Sequence, residues 1–327
     1  FISKKSFEIG RNFANKIWNA SRLVMMNLDG FKFADQGPEP TPTEMPDKWI
    51  LSRFAQATQF ARECFDNFRF NTAAKAIYDF FWRDFCDWYL EMVKPRLYTD
   101  GGGKPDDNAR FILFYILNGS YRMLHPYMPF VTEELFQLLF QAVGNKPAKP
   151  SLTVMPWLDV PGSFLNQGLD QQMYFIQDLV GAIRNIRSEM NVPPGKNADV
   201  IIKPSDDRIA EWVKGCSEYI RLLAKVGEME INEDAGRPIQ SATTVIKGAE
   251  IYIPLSGLIN IDLEKDRLQK EIERISQLLS KSDKKLVNDD FVNKAPKEVI
   301  EKEKDKNHDY RERLDKLNKN LEEIVGW

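Results

Sequence analysis

Residues 16 to 27 read KIWNASRLVMMN and place Lys16, Asn19 and Arg22 three apart in a run that is otherwise largely apolar. That spacing predicts a single helix. With Lys16 set at 0° and about 100° per residue, Phe13, Ile17, Ala20, Val24 and Leu28 fall between roughly 40° and 120°. They form one apolar stripe. Asn12, Asn15, Asn19 and Leu23 fall between roughly −100° and −20°, with Arg11 and Arg22 just beyond them. This second face carries cations, amides and one exposed leucine. Amides pair with base edges, cations meet phosphates, and an apolar side chain offers a surface to a base, so the set suits unpaired bases. A merely solvated face usually mixes Glu with Lys four apart, and no acid occurs from Arg11 through Leu28. A solvated edge and a base reader both stay open on these residues alone. Trp18 falls near 200°, at the border of the apolar stripe, and is expected to pack.

The other chemically suggestive groups are less specific. DFCDWYLE sets Asp84, Asp87 and Glu91 three and four apart on one helix. Carboxylates so spaced can share a metal or a proton, but no His or Cys pair joins them. They are expected to be buried or half-buried acids, hydrogen-bonded to Arg83 or Lys94. His125 precedes a proline and reads as a turn residue; His308 stands on a charged helix with no partner in view. Arg184, Arg187 and Lys196 cluster around the turn NVPPGK, where they could meet phosphate, a helix C-terminus or a neighbouring element. Cys64, Cys86 and Cys216 are scattered without zinc spacing, and an odd count suits a reducing, cytoplasmic setting.

The elements that must carry these residues are mainly helical. The chain has 327 residues and a formal charge of −3. That length predicts two or three domains, and the balanced charge confines any nucleic-acid binding to local patches. No apolar run approaches 18 residues and no signal pattern is present, so no membrane partner is expected. The chain opens at Phe1 in mid-pattern, which suggests a piece of a longer polypeptide.

Residues 1–160 read as a bundle of about five helices rich in aromatics. Asp47, Asn71 or Thr72, and Thr132 are candidate caps. Residues 161–260 read as a small α/β domain. In it the strands ADVIIKP, VGEMEIN, TTVIKG and AEIYIPL form a largely antiparallel sheet, and the helix DRIAEWVKGCSEYIRLLAKV separates the first two. Residues 261–327 carry heptads: Leu268, Ile272, Ile275, Leu279 and Leu286, with Ser282 in the seam, then Tyr310, Leu314, Leu317, Leu321 and Ile324. With NDDFVNKAP between them, and Pro296 at the first turn of the second, two helices of roughly 25 residues predict an antiparallel coiled-coil hairpin about 35–40 Å long. With Lys270 at 0° on the wheel, Arg267, Arg274, Lys281, Lys284 and Lys285 fall within about 60° of it, opposite the seam, a stripe that could track phosphates. Outward lysines are also normal on coiled coils.

Several stretches in order carry a family likeness. GRNFANKIWNASRLVMMN resembles the first anticodon-domain helix of class I aminoacyl-tRNA synthetases of the valine, isoleucine and leucine group. DKWILSRF, WRDFCDWYLEMVKPRLY and LHPYMPFVTEELFQLL, followed by TVMPW, resemble later segments of the same domain. IRNIRSEMNVPPGK and the hairpin with NDDFVNKAPKEVIEKEK are similar to the valyl-tRNA synthetases. The isoleucyl enzymes carry other extensions there, often with zinc-binding cysteines.

The resemblance covers essentially the whole chain. It implies a helical anticodon-binding bundle, an α/β junction and a coiled-coil arm at the outer corner of valine tRNA. Lys16 and Arg22 become polar contacts to the anticodon, with Asn19 nearby and Asn12 and Asn15 on the same face. The position that is often Phe in the family is Leu23, which weakens stacking. The stripe residues Lys270, Arg274, Lys281, Lys284 and Lys285, with Arg184 and Arg187, become candidate phosphate contacts.

The signatures HIGH and KMSKS are absent from the sequence. The resemblance therefore implies catalytic and editing domains, with ATP and Mg, in a complete, monomeric valine–tRNA ligase, and no cofactor or metal in this chain. The alternatives are a fragment of an isoleucyl-type ligase, or a helical interaction protein that dimerises through its coiled coil.

Overall fold

The computed structural model describes the chain apart from residues 1–3, 32–38, 99–103, 289–290, 292–294 and 326–327, and the side chains of 4–6. Most of the turn 288–296 and parts of the predicted loops 37–48 and 99–107 thus lie outside the described residues. Two compact units emerge, Phe1–Met173 and Tyr174–Trp327.

The first unit is helical. Helix α1 (Lys4–Asn27) buries Phe13, Ile17, Ala20 and Val24, and Leu28 just beyond it is buried as well. Its inner face is pinned by Ser21, whose hydroxyl donates to the Ile17 carbonyl at 2.7 Å and accepts from the Tyr121 hydroxyl at 2.6 Å. Helix α2 (Met45–Asp66) begins in a capping box. Its cap is Glu44, not the expected Asp47. Asp47 sits three residues in, accepts from the Glu44 amide, and is itself fully buried. There it takes Arg96 through two bonds of 2.8 and 3.0 Å and the Tyr89 hydroxyl at 2.9 Å. A buried carboxylate demands such partners.

Helix α3 (Phe70–Asp79) starts after Arg69. Asn71 and Thr72 therefore lie inside its first turn rather than capping it. The chain reverses at Phe68, which takes φ of 58°. Helix α3 runs on into a π-helical stretch, Phe80–Tyr89, and then α4 (Leu90–Leu97). Helix α5 (Asp107–Leu124) is capped by Asp106, whose carboxylate accepts from the amides of Asn108 and Ala109. Gly119 on α5 admits the ring of Phe54, into which a Cβ would run. Helix α6 (Pro129–Ala142) starts at Pro129, whose missing N–H suits a first turn. Thr132 is inside it, donating back to the Met128 carbonyl at 2.9 Å. Helix α7 (Gln167–Glu189) contains the boundary between the units.

The second unit holds a four-stranded sheet in the order β2-β1-β4-β3. The strands are β1 (Ala198–Pro204), β2 (Val226–Ile231), β3 (Ser241–Ile246) and β4 (Ala249–Pro254). Strand β1 pairs antiparallel with β4, as β4 does with β3, and parallel with β2. The β1–β2 connection is the helical crossover that a parallel pair requires. It is two helices, not one: α8 (Asp207–Gly215) and α9 (Ser217–Ala224), interrupted at Cys216.

Helices α10 (Ile261–Val287) and α11 (Lys297–Val325) pack along each other. Asp283 meets Arg311 at 2.9 Å, Glu271 meets Arg313 at 2.7 Å, and Lys285 meets Glu303 at 3.6 Å. The partner numbers fall as the first numbers rise, which makes the pair antiparallel. Helix α11 begins at Lys297, so Pro296 stands just before its first turn. Leu268, Ile275, Ser282 and Ile324 are buried; Ile272, Leu279, Leu286, Tyr310, Leu314, Leu317 and Leu321 are half-buried. Among the described residues no helix is long and apolar enough to cross a membrane.

Candidate nucleic-acid interface

On α1, Asn12, Asn15, Asn19 and Arg22 are exposed, with Lys16 and Leu23 half-buried at the edge of the bundle. The face outlined by the periodicity is therefore a single accessible strip. Met26, 67% exposed, belongs to it as well: at ten residues beyond Lys16 it falls near −80°, the middle of the strip. The same periodicity contained that position, but a methionine beside Val24 and Met25 reads as core. Trp18 corrects the packing expectation, since it is 43% exposed.

The strip has a neighbour that sequence spacing did not show. Phe13 stacks near Tyr78 and Trp82 at ring distances of 4.6 and 6.2 Å. Lys16 donates to the Asp87 carboxylate at 2.8 Å, with its ammonium 5.3 Å from the centre of the Trp82 ring. Asn27 donates to the Tyr98 hydroxyl at 3.2 Å. Numbers rise together on both sides, so α1 runs parallel to the π stretch and α4. Burial lowers the Lys16 pKa, but the hydrogen bond and charge of Asp87 outweigh it, and the net shift is upward. The lysine is thus a fixed cation held against an indole face, an arrangement favourable in itself.

The three acids part ways, Asp84 and Asp87 on the π stretch and Glu91 in the first turn of α4. Residues three apart diverge more around a helix that bonds to the fifth residue than around an α-helix. Asp84 is buried and paired with Arg53 at 2.8 Å, Asp87 with Lys16, and Glu91 with Lys94 at 2.6 Å. The expected partner Arg83 is thus replaced by Arg53, while Lys94 is as anticipated. Burial raises the Asp84 pKa despite the guanidinium of Arg53. Among the described residues no three His, Cys, Asp or Glu groups are placed to hold a metal ion.

The basic cluster of the second unit is largely structural. Arg187 is 7% exposed and donates to the carbonyls of Lys225 at 3.0 Å and Lys196 at 2.6 Å. It is therefore spent on backbone, and phosphate contact is corrected for this residue. Arg184 is exposed and bonds the Leu223 carbonyl at 2.9 Å. Lys196 reaches the carbonyls of Gly257 and Leu258.

On α10, Lys270, Arg274, Lys281, Lys284 and Lys285 are all exposed. Arg274 is clamped by Glu271 at 2.7 Å, Arg267 by Glu264 at 2.6 Å, and Lys285 faces Glu303. Half of the stripe's charge is therefore offset by acids close by. His125 bridges Thr132 and Thr153 across its turn at 2.9 and 3.3 Å. His308, for which no partner was foreseen, lies 3.4 Å from Glu312 one turn on.

Comparison with known proteins places this geometry. Residues 47–202 match the anticodon-binding domain of tRNA ligases. The helices from α2 through α7 and strand β1 thus form an anticodon-binding module of that class. Residues 260–325, the α10–α11 hairpin, match the tRNA-binding arm of valyl-tRNA synthetase.

The chain is 37% identical over 325 residues to the valine–tRNA ligase of Bacillus subtilis (strain 168), covering 99% of this chain and 36% of that protein. It is 35% identical over 324 residues to that of Geobacillus stearothermophilus, with the same coverage of 99% and 36%. The valine–tRNA ligase of Listeria innocua serovar 6a is 38% identical over 303 residues, 92% of this chain and 33% of that protein. The chain belongs to the valyl-tRNA synthetase family and spans about a third of the length of these relatives. The valyl-type arm separates it from the isoleucyl alternative. The domain match begins at residue 47 and leaves α1 upstream of it, whereas the alignments to whole ligases take in nearly the whole chain.

Proposed function

We propose that the chain is the tRNA-recognition portion of a valine–tRNA ligase, with three working parts: residues 1–160 read the anticodon, 161–260 form a junction, and 261–327 brace the outer corner of the tRNA. The observation that carries the reading is the exposed amide-and-cation strip of α1, in a chain whose downstream segments match an anticodon-binding domain and a tRNA-binding arm. Lys16 and Arg22 supply charge, Asn12, Asn15 and Asn19 supply donors and acceptors for base edges, and Leu23 and Met26 supply apolar contact. Exposed Lys270, Lys281 and Lys284, with Arg184, Arg274 and Lys285, supply phosphate contacts that set register without reading sequence.

The work done here is positioning: binding remote from the reacting atoms holds the acceptor end in place. ATP, Mg and valine belong to catalytic and editing domains that act as partners of these residues in a cytoplasmic, monomeric enzyme. The test is Lys16→Ala and Arg22→Ala, each titrated with valine tRNA and with the same tRNA bearing exchanged second and third anticodon bases. Binding to the native tRNA should weaken roughly tenfold and the preference between the two should narrow. A preference left intact in both variants removes these residues from the reading.

A further inference from the structure

The parallel run of α1 beside the π stretch and α4 makes a two-walled groove. Lys16 with Asp87 closes one end, and Asn27 with Tyr98 marks the other. Both pairs are 71 residues apart in sequence, and eleven helical residues separate them, or about 16 Å along the axis. One wall carries Asn19, Leu23 and Met26. The other carries Asp87, Glu91, Lys94 and Tyr98. Its two acids are already matched by Lys16 and Lys94, at 2.8 and 2.6 Å, so the wall does not oppose an anionic strand.

The strip on α1 has no aromatic side chain facing the groove; Leu23 and Met26 give apolar area without a π face. Tyr98 does have one. The residue is 49% exposed although it closes a helix that buries Leu97, Val93 and Met92. Its hydroxyl is held by Asn27, whose amide nitrogen also donates to the Leu23 carbonyl at 2.8 Å. Both hydrogens of that amide are thus committed, and they fix the ring beside the turn that carries Leu23. A rigid ring on two rotatable bonds gives up little conformational entropy when it receives a flat partner.

Resting on the anticodon-reading assignment above, we propose that Tyr98 is the stacking platform of the groove, receiving an unpaired anticodon base that Leu23 and Met26 contact from the side. The second wall is then part of the reader, and recognition is shared between residues far apart in sequence.

The test uses the full chain and a valine tRNA with 2-aminopurine in place of an anticodon adenine, whose fluorescence falls on stacking. Wild type should prefer the native anticodon and quench the probe. Tyr98→Ala should abolish the quench and weaken binding to the native tRNA roughly tenfold, while leaving the exchanged-anticodon tRNA almost unaffected. Tyr98→Phe, which keeps the ring and loses the bond to Asn27, should retain most of the quench. Wild type without preference or quench overturns the anticodon reading and Tyr98 with it. Wild type with preference, and a Tyr98→Ala variant that quenches and binds equally well, overturns the role of Tyr98 alone.

Discussion

Asp47 shows how a single residue can be half legible in the sequence. Its type and place before a helical run marked it as a helix-start residue, and it does serve the start of α2. The greater part of its role comes from Arg96 and Tyr89, 49 and 42 residues away. Removing Asp47 breaks this buried ion pair, strips the Tyr89 hydroxyl of its acceptor and leaves Arg96 chiefly to Asp106. Asp47→Ala should therefore destabilise the first unit by roughly 3–5 kcal/mol. Denaturant unfolding checks this, and a loss well under 1 kcal/mol would mean that Asp106, which Arg96 already meets at 2.7 Å, compensates its charge alone. Lys16 follows the same pattern. Its exposure and charge were readable on a wheel, because neighbours on one helix are fixed by local geometry. Its pairing with Asp87 was not, because nothing local ties residues that meet only through tertiary packing.

Elements were legible where periodicity is strong and illegible where it is not. The strands of the sheet fall within a residue or two of their expected positions, since short β-branched runs between turns leave few alternatives. The start of α3 was misplaced because Arg69 is not a residue type that usually caps. The π stretch has the composition of any aromatic helix, so nothing in its sequence announces the wider turn. The hairpin seam was traced through its apolar positions, but Glu303, Asn307, Asn320 and Glu323 are also buried. A heptad reading sends charged residues outward by default.

Glu323, buried beside the Thr243 backbone of β3, gives the second unit a pH dependence. Burial raises its pKa, against the lowering influence of Lys319 and Arg237 and a hydrogen bond with the Thr243 backbone. The folded state therefore binds the proton more tightly than the unfolded state. The contribution is most stabilising below the unfolded value near 4.3 and declines as pH rises toward the folded value. Glu323→Gln should remove that decline and raise the melting temperature at neutral pH relative to wild type. Parallel melting curves for the two proteins across this range would contradict the assignment.

At the scale of the whole molecule the proposed function divides labour between reading and gripping. The strip on α1 is rich in amides, whereas α10 offers outward lysines and arginines. Amides discriminate; cations on phosphates bind all sequences alike and weaken with salt. Deleting residues 262–327 should therefore lower affinity for native and exchanged-anticodon tRNA by the same factor and flatten the salt dependence. This is read by titration over a salt series. A deletion that changed the preference between the two would place reading in the arm as well. The formal charge of −3 fits this arrangement, because neither task needs a basic surface overall.

The central claim is that this chain reads an anticodon. Its most direct test is a binding titration of the intact chain with valine tRNA, beside the same tRNA with its second and third anticodon bases exchanged, at two salt concentrations. The account predicts tighter binding to the native anticodon at both salts, with a ratio that salt barely changes because base contacts release few counterions. Equal affinities that fall together as salt rises would contradict it, and would leave only a phosphate grip.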